Sequence, residues 1–286
     1  MRIAIITCKE VPRLIESERP LLDLFKSKGI TAHIAIWDDP TIDWRIYDYL
    51  VIRSIWDYHL RPDKFIAWLD LLESNNVPTL NSIDLLRANY HKFYLEKLSK
   101  EGVPIVPTYF IDKKSKLDLS FLKSQGCSRA VIKPAVSASS FYTKAFDISD
   151  IKLVEEEYKD ISTVRDLLVQ EFMPEVINEG ELSIIFLGGE YAYTVLKTAK
   201  KGEFRVQSEY GGSARLIEPD AYIIAEAAKV LSKCIDNVLY ARVDGVIRKG
   251  QFMLMEIELI EPDLFFNLVP DARSRFVLCC MNLMGV

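Results

Sequence analysis

Two neighbouring runs late in the chain limit what it can build. "VLYARVDGVI" (238–247) and "LMEIELIEP" (254–262) both alternate apolar and charged residues, the period of a strand with one apolar face. Arg242 and Asp244 therefore share one face of the first run, and Glu256 and Glu258 share one face of the second. The connecting Arg248, Lys249, Gly250 and Gln251 include a glycine suited to a hairpin turn. Paired, the two runs bring three carboxylates to one surface. Anions buried without countercharge cost several kcal/mol each, so a cation must join them. Arg242 is one candidate; a metal ion is another. Glutamates two residues apart stand about 7 Å apart along a strand, within reach of one hard cation or of a pair about 4 Å apart. Oxygen-only ligands favour Mg²⁺, which normally arrives with phosphate. A glycosidase carboxylate pair is a third reading.

With 286 residues, 49% of them apolar and 27% charged, the chain suits a globular protein of two or three subdomains. A net charge of −5 without a basic run argues against nucleic-acid binding. The apolar start "RIAII" is too short for a signal peptide, and no stretch approaches a membrane span. Cys8, Cys127, Cys234, Cys279 and Cys280 show no CxxC spacing and suit a reducing compartment, so a cytoplasmic protein is expected. His33, His59 and His91 lack metal-ligand spacing, and no GxSxG elbow occurs.

Residues 1 to about 80 alternate strand and helix patterns, which implies a parallel sheet covered by helices. Ligands of such sheets collect beyond the carboxyl ends of the strands. There "RSIWDY" supplies Arg53, Trp56, Asp57 and Tyr58 as candidate substrate contacts, with an ordinary surface loop as the alternative. A helix is expected over roughly 89–100, carrying Lys92, then a strand at "RAVIKP" and a buried strand or connector at "LLVQEFM". A hairpin is expected around Gly188-Gly189, an amphipathic helix over "PDAYIIAEAAKVLSKCI", and a core helix in the tail. Lys133 and Lys197 each end an apolar strand; with Lys92 and the carboxylates they suggest a polyphosphate–metal site, although neither GxxxxGK[ST] nor GxGxxG is present.

From Lys92 to about Pro262, the order of these motifs resembles the ATP-grasp superfamily, in its glutathione-synthetase-like branch. The signatures "VIRSIWDYH", "GEFRVQSEYGG", "YARVDGV" and "MEIELIEPDLF" are most similar to the D-cycloserine-forming O-ureido-D-serine cyclo-ligases and related ATP-grasp ligases. The resemblance implies an α/β fold with an N-terminal parallel subdomain (1–88), a central lid (89–172), and a mainly antiparallel C-terminal sheet with the metal site (173–286). It implies ATP as cofactor, bound by Lys92, Lys133, Ser139, Lys197, the hinge Gln170, Glu171 and Phe172, and Glu181 at the ribose. It implies Mg²⁺, one ion or two and replaceable by Mn²⁺, on Asp244, Glu256 and Glu258. Arg205 and Arg242 stand where a cation could hold the γ-phosphate or a substrate carboxylate, and Gly211 and Gly212 let the backbone approach substrate.

The implied activity is carboxylate–amine ligation through an acyl phosphate on a small amino-acid-like acid, with intramolecular cyclisation as a narrower form. A non-catalytic ATP-binding protein and a glutathione-synthetase-like peptide ligase are the alternatives. Small-molecule acids and amines are the expected partners, with a homodimer open by analogy and no nucleic acid or membrane. Two departures stand out: "AVSASSFYT" has no glycine where the superfamily loop usually has several, and Glu258 replaces a common asparagine.

Overall fold

The computed structural model describes residues 1–234 and 237–286. Three sheets organise them. The first is parallel, in the order β2-β1-β3-β4, from β1 (Arg2–Thr7), β2 (Thr31–Ile36), β3 (Tyr49–Ser54) and β4 (Thr79–Leu80). α1 (Leu21–Ser27) and α2 (Pro62–Ser74) supply its crossovers, and Gly29 ends the α1 segment at φ 76°. Burial of Ile3, Ala4, Ile5 and Ile6 on both faces of β1 explains that strand's unbroken apolar run.

Two short helices follow, α3 (Ile83–Asn89) and α4 (Tyr94–Lys100). The expected single helix over 89–100 is corrected here: Lys92 lies in the break between them. Its amide donates to the carbonyl of Ala135 at 2.9 Å, a long-range bond that takes the place of a helical one.

The second sheet runs β5-β8-β6-β7, all neighbours antiparallel, from β5 (Thr108–Ile111), β6 (Arg129–Pro134), β7 (Lys144–Asp147) and β8 (Leu167–Glu171). α5 (Ile151–Glu157) and α6 (Lys159–Val164) lie between β7 and β8, and α7 (Glu175–Asn178) follows. Ile132, Phe146, Ile151, Val154, Leu167 and Val169 share this unit's own core.

The third sheet is antiparallel, β11-β10-β9-β12-β13, from β9 (Glu181–Leu187), β10 (Glu190–Thr198), β11 (Ser213–Ile217), β12 (Tyr240–Arg248) and β13 (Gln251–Glu258). The Gly188-Gly189 hairpin is present, both residues at positive φ. α8 (Ala221–Cys234) packs on one face through Ile223, Ala227 and Val230. The final residue of that expected helix, Ile235, lies outside the described residues. α9 (Ala272–Met284) formed from the apolar tail and shares a core with Ile3 and Ile5 of β1 and Ile185 of β9, joining the first sheet to the third.

In the last hairpin Arg242 faces Glu258 and Asp244 faces Glu256, with Lys249 and Gly250 at φ 52° and 77° forming the turn. Gly245 then pairs with Leu254, so Met255 is an extra residue on β13. This bulge lies beside the acids.

Candidate active site

A cavity of about 510 Å³ opens among the three sheets, within the range of small-molecule sites. β6 and β8 bring Lys133 and Gln170 to it, β9 and β10 bring Glu181 and Lys197, and the last hairpin brings Arg242, Glu256 and Glu258. Trp56 and Tyr58 line it from the loop after β3.

The three expected metal ligands converge: one carboxylate oxygen from each of Asp244, Glu256 and Glu258 lies within 4.8 Å of the others. Oxygen donors at that spacing suit a hard divalent cation. They also have protein cations beside them. Arg242 donates to Asp244 at 2.8 and 3.0 Å and to Glu258. Lys197 donates to Glu181 at 2.6 Å and to Asp244 at 3.1 Å, and Ser183 completes the Asp244 shell at 2.7 Å. Burial would raise the Asp244 carboxyl, but Arg242 and Lys197 outweigh it and hold the group low. Glu258 goes the other way: burial, only partly offset by Arg242 and reinforced by Glu256 and Asp244, pushes it up to about 8.

Lys92 and Lys133 approach the same oxygen of Glu256 at 3.4 and 3.7 Å. Two ammonium groups thus converge on one carboxylate oxygen on the cavity wall, donors of the kind that a polyphosphate oxygen also accepts from. Burial pushes Lys133 down and the nearby Lys92 adds to it, against the pull of Glu256. Burial would lower Lys92 too, but Glu256 and its acidic neighbours raise it.

The loop after Lys133 solves its lack of glycine by strain. Ser139, Ser140 and Tyr142 take φ of 48°, 56° and 46°, the left-handed region that costs a non-glycine residue roughly 1–2 kcal/mol. Ser139 lines the cavity, as do the hinge residues Gln170, Glu171 and Phe172, although the amides of Glu171 and Phe172 are already bonded to the carbonyls of Pro107 and Arg129.

Arg205 reaches the cavity on the loop between β10 and β11, bound to Glu203 at 2.6 Å and lying 3.5 Å over the Tyr210 ring. Gly212 lines the cavity as well; a Cβ there would meet the Val206 carbonyl at 2.1 Å.

Three expected substrate contacts are corrected. Arg53 is 1% exposed and its guanidinium is committed to Glu18 at 2.5 Å, to the Pro262 carbonyl, and to the face of Tyr240 at 4.8 Å. Asp57 is turned to Trp37 at 2.7 Å and to Arg61. Gly211, in a left-handed turn beside Lys200, does not line the cavity. Sequence reasoning missed Met255, Glu261 and Asn267, which do. Met255 is the bulged residue, and no periodicity announces a bulge; Glu261 sits after β13 ends, where the alternation that exposed Glu256 and Glu258 has lapsed.

The profile of the D-cycloserine synthetase DcsG N-terminal domain matches residues 3–81. The cycloserine biosynthesis protein DcsG of Streptomyces lavendulae is 28% identical over 273 residues, 90% of each chain. Among solved structures, D-cycloserine synthetase DcsG superposes with a TM-score of 0.89 at 23% identity, over 99% of this chain and 100% of the other. D-alanine–D-alanine ligase from Bacillus anthracis gives 0.75 at 16% identity, over 100% and 97%. The chain has the ATP-grasp fold. The ATP-grasp resemblance read from the motifs is thereby borne out at the level of the fold, and with it the mixed α/β class. Among the described residues no helix is long and apolar enough to cross a membrane.

Proposed function

We propose that this protein is an ATP-dependent carboxylate–amine ligase that activates a small amino-acid-like acid as its acyl phosphate and releases ADP and phosphate. One observation carries the proposal: three carboxylates from a single hairpin converge within 4.8 Å, and two of them, Glu256 and Glu258, line one cavity together with Lys92 from the break between α3 and α4 and Lys133 from β6. The similarity to DcsG and to a D-alanine–D-alanine ligase, which has also been solved with ATP, supports ATP use and ligase chemistry.

In this reading Lys92, Lys133 and Lys197 hold the phosphates, with Ser139 offering a hydroxyl from its strained turn. Gln170, Glu171, Phe172 and Glu181 surround the base and ribose. Asp244, Glu256 and Glu258 would hold Mg²⁺, which when bound supplies charge neutralisation at the phosphoryl oxygens. Arg242 moves between its carboxylate partners and the developing negative charge of the acyl centre, and Arg205 steadies the substrate carboxylate from the opposite loop. Trp56, Tyr58 and Gly212 shape the acceptor end and exclude water from the acyl phosphate. The subdomains divide at 1–88, 89–172 and 173–286, one sheet to each. Closing a ring within one substrate, as cycloserine formation requires, is the narrower form of the proposal. A cytoplasmic setting fits the free thiols of Cys8, Cys127, Cys279 and Cys280.

The test is ADP release with ATP, Mg²⁺ and a panel of small carboxylic acids with amine acceptors. Acid-stimulated ADP supports a ligase. Nucleotide binding without stimulation by any acid would leave a protein that only binds ATP.

A further inference from the structure

β13 is an edge strand of the third sheet, so the backbone groups on its outer side need partners from elsewhere. The segment before β5 serves the first of them. The Leu254 amide donates to the Pro104 carbonyl, and the Val106 amide donates to the Leu254 carbonyl, both at 2.9 Å. Ile257 also turns its amide and carbonyl outward although it lies three residues on, a parity that the inserted Met255 makes possible. There side chains replace the neighbouring backbone. The Ile257 amide donates to the Tyr94 hydroxyl at 2.8 Å, and that hydroxyl donates to the Ile257 carbonyl at 2.9 Å. Asn89 spans the next step, donating to the Ile257 carbonyl at 2.9 Å and accepting from the Leu259 amide at 3.0 Å.

Asn89 is the last residue of α3 and Tyr94 the first of α4, and Lys92 lies between them. In one unbroken helix, residues five apart would point about 140° from each other around the axis. The break lets both side chains face one strand edge. Their targets bracket the acids: Ile257 follows Glu256, and Glu258 stands between Ile257 and Leu259. On its other side the break is tied to the loop after β6. The Lys92 amide donates to the Ala135 carbonyl at 2.9 Å and its ammonium to the Ser137 carbonyl at 3.1 Å. That ammonium lies 3.4 Å from Glu256 Oε2. A lysine is a point charge on a flexible four-carbon stem, so its placement depends on what holds its backbone.

We infer that Asn89 and Tyr94 are positioning residues: by clipping the Lys92 break to the edge of β13, they hold the phosphate-binding ammonium at a set distance from Glu256 and Glu258. The inference deepens the ligase reading and rests on it for the phosphate role of Lys92. Asn89 reaches the cavity wall, but both ends of its amide are committed to β13, so it acts through Lys92. A misplacement of about 1 Å in such a group costs on the order of 10²-fold in rate.

A double-mutant cycle on the full chain tests this. ATP affinity is measured by calorimetry without metal for the wild type, Tyr94→Phe, Lys92→Met and the double variant. Tyr94→Phe keeps the ring and removes only the hydroxyl. In the wild-type background it should weaken ATP binding about fivefold, the scale of a lost hydrogen bond. With methionine at position 92 the same change should cost less than about twofold, because residues that act through one group are not additive. A loss of equal size in both backgrounds overturns the inference and leaves Tyr94 a stabiliser of the fold. No loss in either background overturns it as well. Asn89→Ala runs the same cycle through the other half of the clip and should show the same pattern, so a poorly folded Tyr94→Phe does not end the test. Wild-type ATP affinity in Lys92→Met removes the phosphate role of Lys92, and the inference with it. ADP release by the wild type with small carboxylic acids judges the ligase reading separately. Coupling between Tyr94 and Lys92 with no ADP release from any acid supports the clip and removes the ligase.

Discussion

Lys197 Nζ lies 3.1 Å from Asp244 Oδ2, although β10 and β12 are separated by β9. The lysine reaches across the middle strand, where Ser183 also bonds Asp244 at 2.7 Å, and it joins Glu181 on the way at 2.6 Å. Together with Arg242 it offsets the burial of Asp244 before any metal arrives. Lys197→Met would leave two buried acids short of a cation, and breaking such a pair costs about 3–5 kcal/mol. Chemical denaturation should show that loss, and ADP release should fall with it. A variant as stable as the wild type would mean that Arg242 alone compensates Asp244.

Glu256 differs from Asp244 in facing two lysines from the central part of the chain, Lys92 between α3 and α4 and Lys133 on β6. If it is a metal ligand, Glu256→Gln should cut ADP release by on the order of 10²–10³ while nucleotide binding without metal hardly changes. Calorimetry with and without Mg²⁺ separates the two effects. Equal weakening in both conditions would make Glu256 a partner of the lysines and nothing more.

Lys133 should behave in the opposite way. Removing an ammonium that bonds phosphate costs about tenfold or more in affinity, so Lys133→Ala should weaken ATP binding itself, with or without metal. Wild-type affinity after this change would count against its phosphate role.

Much of this site was legible because its residues lie on strands. Alternation alone placed Asp244, Glu256 and Glu258 on one face, and the ends of apolar runs marked Lys133 and Lys197. Features set by distant contacts were not legible. Residues 90–93 continue the helical spacing into α4, but there the Lys92 amide bonds the Ala135 carbonyl, just past β6, in place of a helical partner. Arg53 looks like a loop arginine at a sheet edge, but its partner Glu18 lies in an irregular stretch 35 residues earlier that no period singles out. The strained Ser139 and Ser140 could not be foreseen either, since serine carries no signal for left-handed backbone.

Gly245 tests the bulge. A Cβ there would meet the Met253 carbonyl at 2.6 Å and the Phe252 ring at 2.5 Å. Overpacking of this kind costs about 1–3 kcal/mol, and the strain falls next to Asp244. Gly245→Ala should therefore lower stability and should reduce Mg²⁺-dependent ADP release more than metal-free nucleotide binding. An unchanged metal requirement would show that the hairpin can shift without moving its acids.

His59 links the loop after β3 to the loop after Lys133, with its ring 4.8 Å from Phe141 and its carbonyl accepting from Arg165 at 2.9 Å. Its Nδ1 is buried without a partner. Burial, helped by the positive charges of Arg165 and Lys92, lowers the imidazole from 6.5 to about 4. The unfolded chain thus binds a proton on His59 in a range where the folded chain does not. Stability from this residue is complete above pH 6.5 and is lost progressively as pH falls from there towards 4. Denaturation midpoints measured from pH 7 to pH 4 should fall more steeply for the wild type than for His59→Phe, which has no proton to gain. Parallel curves would mean that the ring is protonated in the folded protein and that another contact carries its charge.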